Sequence, residues 1–450
     1  ADATTTGGRN TAVGYDAYGA NLLGSYNTAF GYEAMKLFVA GSLNDGENTA
    51  LGHAAGLNNV TGVNNTYVGS GAGKGGIGQS QSSNTAVGKD ALYAITAGSN
   101  NVAIGVGTGD ALLAGNSNVF VGTGAASATT AILNSVVIGV DAIESGVATA
   151  AAVGTVAIGH SALKVLTSAA GNTAIGYQAG QLITDGANNT FIGHAAGDAT
   201  HASATGNTAV GKGALGGSHT GSLSQFNEAF GGDALAGAMN GAQYNCGFGF
   251  GSLAGVTIGT SNNALGHGAG DGIAGGDKNV CIGHAADVDD GDAQSRIVIG
   301  YAFNGTADAA VHLGNNDRHI RCDFGSDQTW DAGSDERIKT VTGDSPLGLD
   351  FINDVPVITY NWKAPSEYPE DFNDYDANNT EPSDTLQHHG VTAQSVKAAL
   401  DKIDGVTDFS GWGEDPDGMQ TVGEAAFVWP LIKAVQELSQ QVEDLKAKIN

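Results

Sequence analysis

Proline is absent from the long first part of this chain. All seven prolines of the 450-residue sequence lie after Ser334, whereas 63 of its 71 glycines lie before that residue. Proline removes a backbone donor and glycine permits backbone conformations that other residues avoid. The sequence therefore predicts two differently built parts that meet near Ser334.

Basic residues are also scarce. The chain carries 18 Lys and Arg against 46 Asp and Glu, a formal net charge of -28. Residues 1–333 have 10 basic and 24 acidic residues, and residues 334–450 have 8 and 22, so both parts are acidic. This balance argues against a basic face for nucleic acid or an anionic membrane.

Cysteines and long apolar runs are few. Cys246, Cys281 and Cys322 are too scattered for a disulfide framework or a zinc site. Cys246 and Cys281 replace small or apolar residues of a repeat, and we predict that both are buried thiols. No apolar run approaches the roughly 18 residues of a membrane span. Because the chain starts within the repeat pattern, we also expect an anchoring domain upstream of it.

One short pattern, Asn-Thr-Ala-apolar-Gly, recurs through the first part. Clear copies include Asn10–Gly14, Asn84–Gly88 and Asn207–Gly211. Its closing glycine occurs 17 times, most often 17 residues apart; the positions are 14, 31, 52, 69, 88, 105, 122, 139, 159, 176, 193, 211, 231, 249, 266, 283 and 300. Regular self-similarity of this kind indicates a repeat architecture.

Each copy predicts one coil of a parallel β-solenoid. A large apolar residue precedes the glycine, usually with Thr or Val two positions earlier, an alternation typical of a strand. Asn and Gly suit the corners, and a second short segment such as 90–92 predicts a second strand. One narrow coil buries little, so we expect three chains to associate and to cover the alanine-rich face. A disordered low-complexity segment is the alternative, which the phased apolar residue disfavours.

Several polar features of the repeats are candidate sites. Five histidines directly follow a repeat glycine: His53, His160, His194, His267 and His284. Three-fold symmetry could bring them to a metal site, but Tyr and Lys share the position, and we favour a permissive corner. The acidic stretch 287–292 lacks the spacing of a calcium loop and predicts a solvated turn. We predict no metal site and no cofactor.

The second part predicts a small α+β domain that ends in a helix. Residues 318–330 are expected to be irregular, residues 347–352 a turn, residues 355–362 a strand and residues 366–384 a loop. Residues 388–396 lead into a helix that reaches Leu400. Ser334 has a simple structural interpretation, as the N-cap of a helix with Asp335 and Glu336 in its first turn and an apolar pattern from Ile338.

The last helix carries apolar residues at alternating spacings of four and three. They are Leu431, Val435, Leu438, Val442, Leu445 and Ile449. This spacing is the seam of a coiled coil, and a three-stranded one would match a trimeric solenoid. A terminal helix that packs only on its own domain is the alternative.

The repeat phrase resembles the head repeats of trimeric autotransporter adhesins, which are left-handed parallel β-rolls, and it also occurs in bacteriophage tail fibres. The resemblance covers residues 8–317. It is specific for architecture and says little about the ligand.

The second part resembles the C-terminal intramolecular chaperone of phage tail spikes and fibres, of the endosialidase type. The matching elements are Ser-Asp-x-Arg-Ile-Lys, Gly-Leu-Asp-Phe-Ile, Val-x-x-Tyr-Asn-Trp, His-Gly-Val-x-Ala-Gln and the closing helix. This family trimerises, directs folding of the preceding solenoid and then cuts itself off. The resemblance places the cut between Gly333 and Ser334, with Ser334 as nucleophile and Lys339 as general base. A lysine acts as a base only in its neutral form, which burial favours.

Together these patterns predict a phage tail-fibre segment that is mainly β. Residues 1–317 form the solenoid, 318–333 the transition to the cleavage point, 334–425 the globular chaperone and 426–450 the coiled coil. We expect a homotrimer, made in the host cytoplasm and carried on the virion, with other tail proteins and a host surface receptor, a glycan or outer-membrane component, as partners. Autoproteolysis is the only activity predicted, with no external substrate.

Two other functions stay open at this point. One is a bacterial trimeric surface adhesin and the other is a glycan depolymerase carried on the fibre. Receptor contacts are expected on inserted turns such as 75–83 and 148–154.

Overall fold

The chain divides into two compact units, Ala1–Gly333 and Ser334–Asn450. The computed structural model describes residues 6–20, 23–42, 46–219, 221–316, 318–324, 339–382, 384–406, 408–416 and 418–449.

Unit 1 is a parallel β-solenoid, as the repeat predicts. Each coil contributes one short strand that pairs in parallel with the strand of the next coil. The strands are β1 Thr11–Val13, β2 Thr28–Phe30, β3 Thr49–Leu51, β4 Thr66–Val68, β5 Thr85–Val87, β6 Val102–Ile104, β7 Val119–Val121, β8 Val136–Ile138, β9 Val156–Ile158, β10 Thr173–Ile175, β11 Thr190–Ile192, β12 Thr208–Val210, β13 Glu228–Phe230, β14 Cys246–Phe248, β15 Asn263–Leu265, β16 Val280–Ile282, β17 Ala286–Val288, β18 Ile297–Tyr301, β19 Phe303–Gly305, β20 Ala310–Asn315 and β21 His319–Asp323.

The register between coils is strict. Thr85 lies opposite Val102, Ala86 opposite Ala103 and Val87 opposite Ile104. Equivalent positions of the repeat therefore stack directly above one another along the whole solenoid. Each position of the phrase becomes a column of like side chains, and each column has its own environment.

The middle alanine of the phrase faces the interior of the coil, and this corrects the expected arrangement of faces. Ala86 and Ala103 are fully buried within a single chain. The large apolar residues point outward instead: Phe30 is 51% exposed, Leu51 45% and Ile104 42%. A coil of about 17 residues is narrow, and this inward position holds alanine in most coils, with Tyr67, Phe120 and Phe191 buried at it in three others. The face available to another chain is thus the column of Thr or Val and large apolar residues, not the alanine column.

The second segment of the coil is not a strand in most of the described coils, contrary to prediction. Asp90 and Leu92 both have positive φ, of 56° and 51°, so the backbone cannot stay extended there. The segment still donates hydrogen bonds to the next coil, as from the N–H of Leu92 to the carbonyl of Thr108, 3.0 Å apart. Among the described residues, β17 and β19, near the end of the solenoid, are the one second pair of strands.

The repeat asparagine has a different role from the corner role that we expected. The left-handed residue is the one before it, such as Asn100 with φ of 60°. The asparagine side chains themselves form a buried ladder: Asn101 donates to Oδ1 of Asn84 at 3.0 Å and to the carbonyl of Gly115 at 2.8 Å. Its own Oδ1 accepts from the backbone N–H of Asn118, 3.1 Å away. Asparagine thereby satisfies backbone groups that a narrow coil buries.

The closing glycines of the phrase are required by space as well as by conformation. Gly88 has φ of +136°, and a Cβ added to it would stand 2.3 Å from the carbonyl oxygen of Gly105. Neighbouring coils approach too closely at this corner for any side chain.

Cys281 is buried as predicted, whereas Cys246 is only partly buried. Cys281 occupies the inward column of its strand, and Cys246 occupies the outward column that usually holds Thr or Val. The prediction for Cys246 failed because it assigned the wrong face to that column.

The solenoid ends with an antiparallel strand. β21 pairs with β20, with His312 opposite Arg321. Residues 319–323 are therefore ordered in a strand, where the sequence predicted an irregular stretch.

Unit 2 is a small α+β domain. Its elements are helix α1 Leu349–Asp354, strand β22 Ile358–Tyr360, strand β23 His388–Gly390, helix α2 Ala393–Leu400, strands β24 Trp412–Glu414 and β25 Gln420–Val422, and helix α3 Val428–Ile449. Short 3-10 helices occupy Pro365–Glu367 and Glu424–Phe427. β22 pairs with β23 and β24 with β25, both antiparallel. The predicted turn at 347–352 is replaced largely by α1, whose Phe351 is buried in the core. None of the helices among the described residues is long and apolar enough to cross a bilayer.

Candidate functional site

The structure does not test the predicted cleavage point. Gly333 and Ser334 lie outside the described residues, so their predicted roles stay predictions. Lys339, the predicted base, is the first described residue after that gap, and its side chain is exposed.

The segment that follows Lys339 is held against the last helix. The backbone N–H of Leu349, at the start of α1, donates to Oε2 of Glu437 on α3 over 2.7 Å. Lys433 on the same helix lies 4.0 Å from the carboxylate of Asp344. A hydrogen bond to a charged acceptor is stronger than one between neutral groups. The short stretch behind the predicted cut is thus tied to the helix predicted to join the three chains.

An aromatic core fixes the base of this arrangement. Phe351 of α1 stacks on Phe427 at 5.9 Å between ring centroids and meets Phe409 edge-on at 5.6 Å. Val396 and Leu400 of α2 complete the buried cluster. Burial of these side chains lets a domain of modest size hold α1, α2 and the start of α3 together.

A second polar cluster lies on β22 and β23, and the sequence did not single it out. Nε2 of His388 lies 3.0 Å from Oδ1 and 3.1 Å from Oδ2 of Asp384. The hydrogen bond from His388 lowers the pKa of the Asp384 carboxyl. Tyr360 stacks on His388 at 5.4 Å, and the ring of Trp362 meets Tyr360 edge-on. Tyr360 and Trp362 stand in a motif of the resemblance, but the pairing of Asp384 with His388 had no sequence signal beyond a spacing of four residues, which many unrelated loops share.

The apolar seam of α3 is uncovered in the single chain. Its residues are Leu431 at 48% exposed, Val435 at 61%, Leu438 at 46%, Val442 at 46%, Leu445 at 57% and Ile449 at 83%. The residues that α3 buries against its own domain, Pro430 and Ala434, lie on another face. The helix therefore has one face for its own domain and a separate apolar face without a described partner.

The histidines of the solenoid form stacks of rings. His267 and His284 lie 5.0 Å apart between centroids, with Phe250 and Tyr301 stacked on their outer sides. His160, Tyr177 and His194 form a similar row. Within the described ranges, no group of three or more His, Cys, Asp or Glu side chains is placed to hold a metal ion.

The acidic stretch 287–292 is organised by an arginine. Arg296 takes the place of asparagine in the ladder, and its backbone N–H donates to Oδ1 of Asn279 at 3.0 Å. Its guanidinium pairs with the carboxylates of Asp289 and Asp308. The pKa of Asp308 is lowered by the backbone N–H of Gln294 and by Arg296. Part of the acidic turn thus neutralises a buried arginine near the end of the solenoid.

The family model described as "Chaperone of endosialidase" matches residues 334–404. The match spans α1, β22, β23 and α2, and it begins at the residue where unit 2 begins. A comparison with curated proteins finds no significant match.

The solenoid of unit 1 and the domain of unit 2 together define a fibre-type protein, a long repeat array followed by a small C-terminal domain. Residues 334–404 of that domain match a chaperone domain of the endosialidase type, and a β-solenoid followed by such a domain fits a fibre or spike protein with a C-terminal chaperone.

Proposed function

We propose that this chain is the host-attachment fibre or spike of a bacteriophage tail, that it works as a homotrimer, and that its chaperone domain cuts itself off between Gly333 and Ser334. The observation that carries the proposal is a coincidence at one residue. The compact C-terminal unit starts at Ser334, and so does the family match.

The chemistry of the cut uses only residues of this chain. The Ser334 hydroxyl attacks the carbonyl carbon of Gly333 while neutral Lys339 accepts the hydroxyl proton. The C–N bond breaks, the proton passes to the leaving nitrogen, and an ester links Gly333 to the Ser334 oxygen. Water then hydrolyses the ester and leaves a carboxylate on Gly333 and a free amine on Ser334.

Two uncovered apolar surfaces support the trimer. One is the outward column of the solenoid, where Phe248 and Leu265 are each 52% exposed. The other is the seam of α3. Contiguous apolar surface on a soluble protein marks an interaction site, and both surfaces repeat along their elements as symmetric association requires.

Folding physics gives the chaperone its purpose. Stacked coils of nearly identical sequence can pair out of register at little cost, so misaligned trimers compete with the correct one. A C-terminal trimeriser fixes the number of chains and their register once. Its release after folding leaves a high barrier to unfolding, and this barrier gives the fibre kinetic stability.

The cleavage is tested by intact mass under denaturing conditions, with wild type beside Ser334→Ala. We expect wild type to give products that end at Gly333 and begin at Ser334, and the variant to keep its full length. Ser345→Ala, a serine change in the same unit, is the matched control and should cleave like wild type. A wild type that stays intact under folding conditions would contradict self-cleavage.

Host attachment is tested separately by replacing the turn 75–83. Ile77 in that turn is 81% exposed, an apolar side chain offered to solvent. We expect a Gly/Ser turn of equal length to reduce adsorption of the virion to its host without loss of fibre assembly. Unchanged adsorption after this change and after replacement of 148–154 would remove these turns as the receptor site.

A further inference from the structure

The chaperone domain contains an apolar groove beside the start of α3. The groove holds about 340 Å³ and is lined by Ile352, Val355, Val357, Val391, Phe427 and Leu431 among others. Val357 is 77% exposed at its edge, and Leu431 is both a wall of the groove and the first residue of the seam. The groove is thus continuous with the surface that we propose joins the three chains.

The helical repeat gives each face of α3 a defined direction. With Val435 at position a and Leu438 at position d of the heptad, Ala434 falls at g and Pro430 and Glu437 at c. These g and c residues contact the chain's own domain: Pro430 and Ala434 are buried and Glu437 holds Leu349. The domain with its groove therefore sits on the g side of the seam.

The opposite flank of α3 carries large apolar residues with nothing described against them. Trp429 at position b is 72% exposed and Ile432 at position e is 44% exposed. Neither residue lines the groove of its own chain. Trp429 is also a costly residue to leave in water, because an indole is among the largest apolar surfaces a side chain offers.

In a parallel bundle of identical helices, the e side of one helix faces the g side of its neighbour. The flank of Trp429 and Ile432 in one copy therefore faces the side of the neighbouring helix where the neighbour's own groove opens. We infer that Trp429, with Ile432 beside it, inserts into the groove of the next copy around the trimer. The inference rests on the proposed trimer and names the contact that closes its chaperone domains into a ring.

The occupant fits the groove in chemistry as well as in place. The walls are aliphatic and aromatic, as an indole ring requires, and Glu424 stands among the lining residues. A buried indole N–H needs an acceptor, which the Glu424 carboxylate supplies. Each insertion is repeated three times, so a weak single contact becomes a firm closure of the assembly.

A disulfide across the contact tests the inference in the full chain, with Ser334→Ala to keep the two units joined. We combine Trp429→Cys with Val357→Cys and oxidise the assembled protein. The expected result is chain dimers and trimers on a denaturing, non-reducing gel that collapse to single chains on reduction. Each single variant, and the pair Gln440→Cys with Val357→Cys, should remain single chains, since Gln440 lies about three helical turns beyond Trp429 on α3.

A second variant keeps the test independent of cysteine substitution. Trp429→Phe retains an apolar ring and should keep the trimer. Trp429→Asp should weaken the trimer, so that it dissociates at a protein concentration at least tenfold higher than wild type does. A trimer by light scattering that shows no interchain disulfide, or that tolerates Trp429→Asp unchanged, would overturn this contact and leave the proposed function standing. A monomeric wild type would overturn both.

Discussion

Glu437 reaches back 88 positions along the chain to accept the backbone N–H of Leu349 at 2.7 Å. The contact joins the middle of α3 to the first turn of α1, ten residues beyond Lys339. It is reinforced by tight packing: a Cβ on Gly348 would stand 2.4 Å from the same carboxylate. The helix that we propose assembles the trimer thereby also positions the segment that follows the predicted cleavage site.

Replacing Glu437 by alanine should loosen α1. The change leaves a part-buried N–H without its charged acceptor, at a cost of about 1–3 kcal/mol. We expect faster amide hydrogen exchange across residues 347–354 and slower release of the C-terminal unit in a time course of intact mass.

Glu443→Ala is the matched control for this prediction. Glu443 lies on the same helix and pairs with Lys446, but its side chain is 66% exposed. Exposed pairs contribute little, so exchange in α1 and cleavage should match wild type. Equal exchange rates in Glu437→Ala and Glu443→Ala would contradict a positioning role for Glu437.

Asn101→Ala should destabilise the solenoid more than most replacements of a polar residue by alanine. The asparagine is fully buried and its amide makes contacts to Asn84, Gly115 and Asn118. Its loss leaves buried groups of two neighbouring coils without partners, each at about 1–3 kcal/mol. We expect a lower denaturant midpoint and raised hydrogen exchange in β6 and β7.

Asn116→Ala provides the comparison within the same coil. Its Oδ1 accepts from the N–H of Ser99 at 2.8 Å, but the residue is only partly buried and water can replace it. A loss of at most about 1 kcal/mol is expected. If both variants lost the same stability, the buried ladder would carry no special weight.

The solenoid could be predicted from its phrase because a fixed period and a phased apolar residue allow few other structures. The period and the phased apolar residue do not predict which face of each strand points into the coil. Ala86 and Val87 are adjacent in one strand, and alternation alone assigns them to opposite faces without saying which is inside. Which side lies inside depends on how the rest of the coil turns, and the left-handed residues at 90 and 92 carry ordinary side chains that do not signal this turn in the sequence.

Some residues of the candidate site could also be predicted from the sequence, and others could not. Ser334 and Lys339 stand in a local motif, so a resemblance can name them. Glu437 and Trp429 are separated from that motif by about a hundred residues, and their roles depend on which face of α3 meets the domain. The seam spacing shows that α3 has an apolar face, but the second face, with Pro430 and Ala434 buried, needs the tertiary structure.

The stability of the solenoid should fall as the pH rises from about 4 to about 7, and Asp287→Asn should reduce that fall. Burial is the main cause that raises the pKa of Asp287 from 3.8 to about 7, with Asp271 nearby. The folded chain therefore holds a proton that the unfolded chain releases at lower pH, so folding is favoured below this window and less favoured above it.

The measurement is the unfolding midpoint at several pH values for wild type and for Asp287→Asn, with Asp290→Asn as control. The Oδ2 atom of Asp287 accepts the N–H of Gly272 at 2.8 Å, and an asparagine oxygen can keep that bond. Asp290 is exposed, so its replacement should preserve the wild-type slope. Parallel pH profiles for wild type and Asp287→Asn would contradict a titrating role for this carboxyl group.

The asparagine ladder is interrupted at two consecutive coils, and the solenoid should open there first. Ser135 and Thr155 stand at the ladder position between Asn118 and Asn172. Ser135 still accepts the N–H of Thr155 at 3.2 Å, but its hydroxyl meets the carbonyl of Ala152 only at 3.4 Å. Hydrogen exchange should therefore be faster at residues 135–156 than in coils on either side.

Ser135→Asn should close this gap. An asparagine amide at 135 can donate to the carbonyl of Ala152 and accept from the N–H of Thr155, as Asn101 does with its neighbours. A gain of about 1 kcal/mol in unfolding free energy is expected, since the two long contacts of Ser135 to the next coil, at 3.2 and 3.4 Å, become hydrogen bonds of ordinary length. Ser145→Asn, an exposed change in the same coil, should leave stability within about 0.5 kcal/mol of wild type. Slower exchange at Thr155 in the first variant alone would identify the ladder, rather than asparagine content, as the source of the gain; equal exchange in both variants would contradict it.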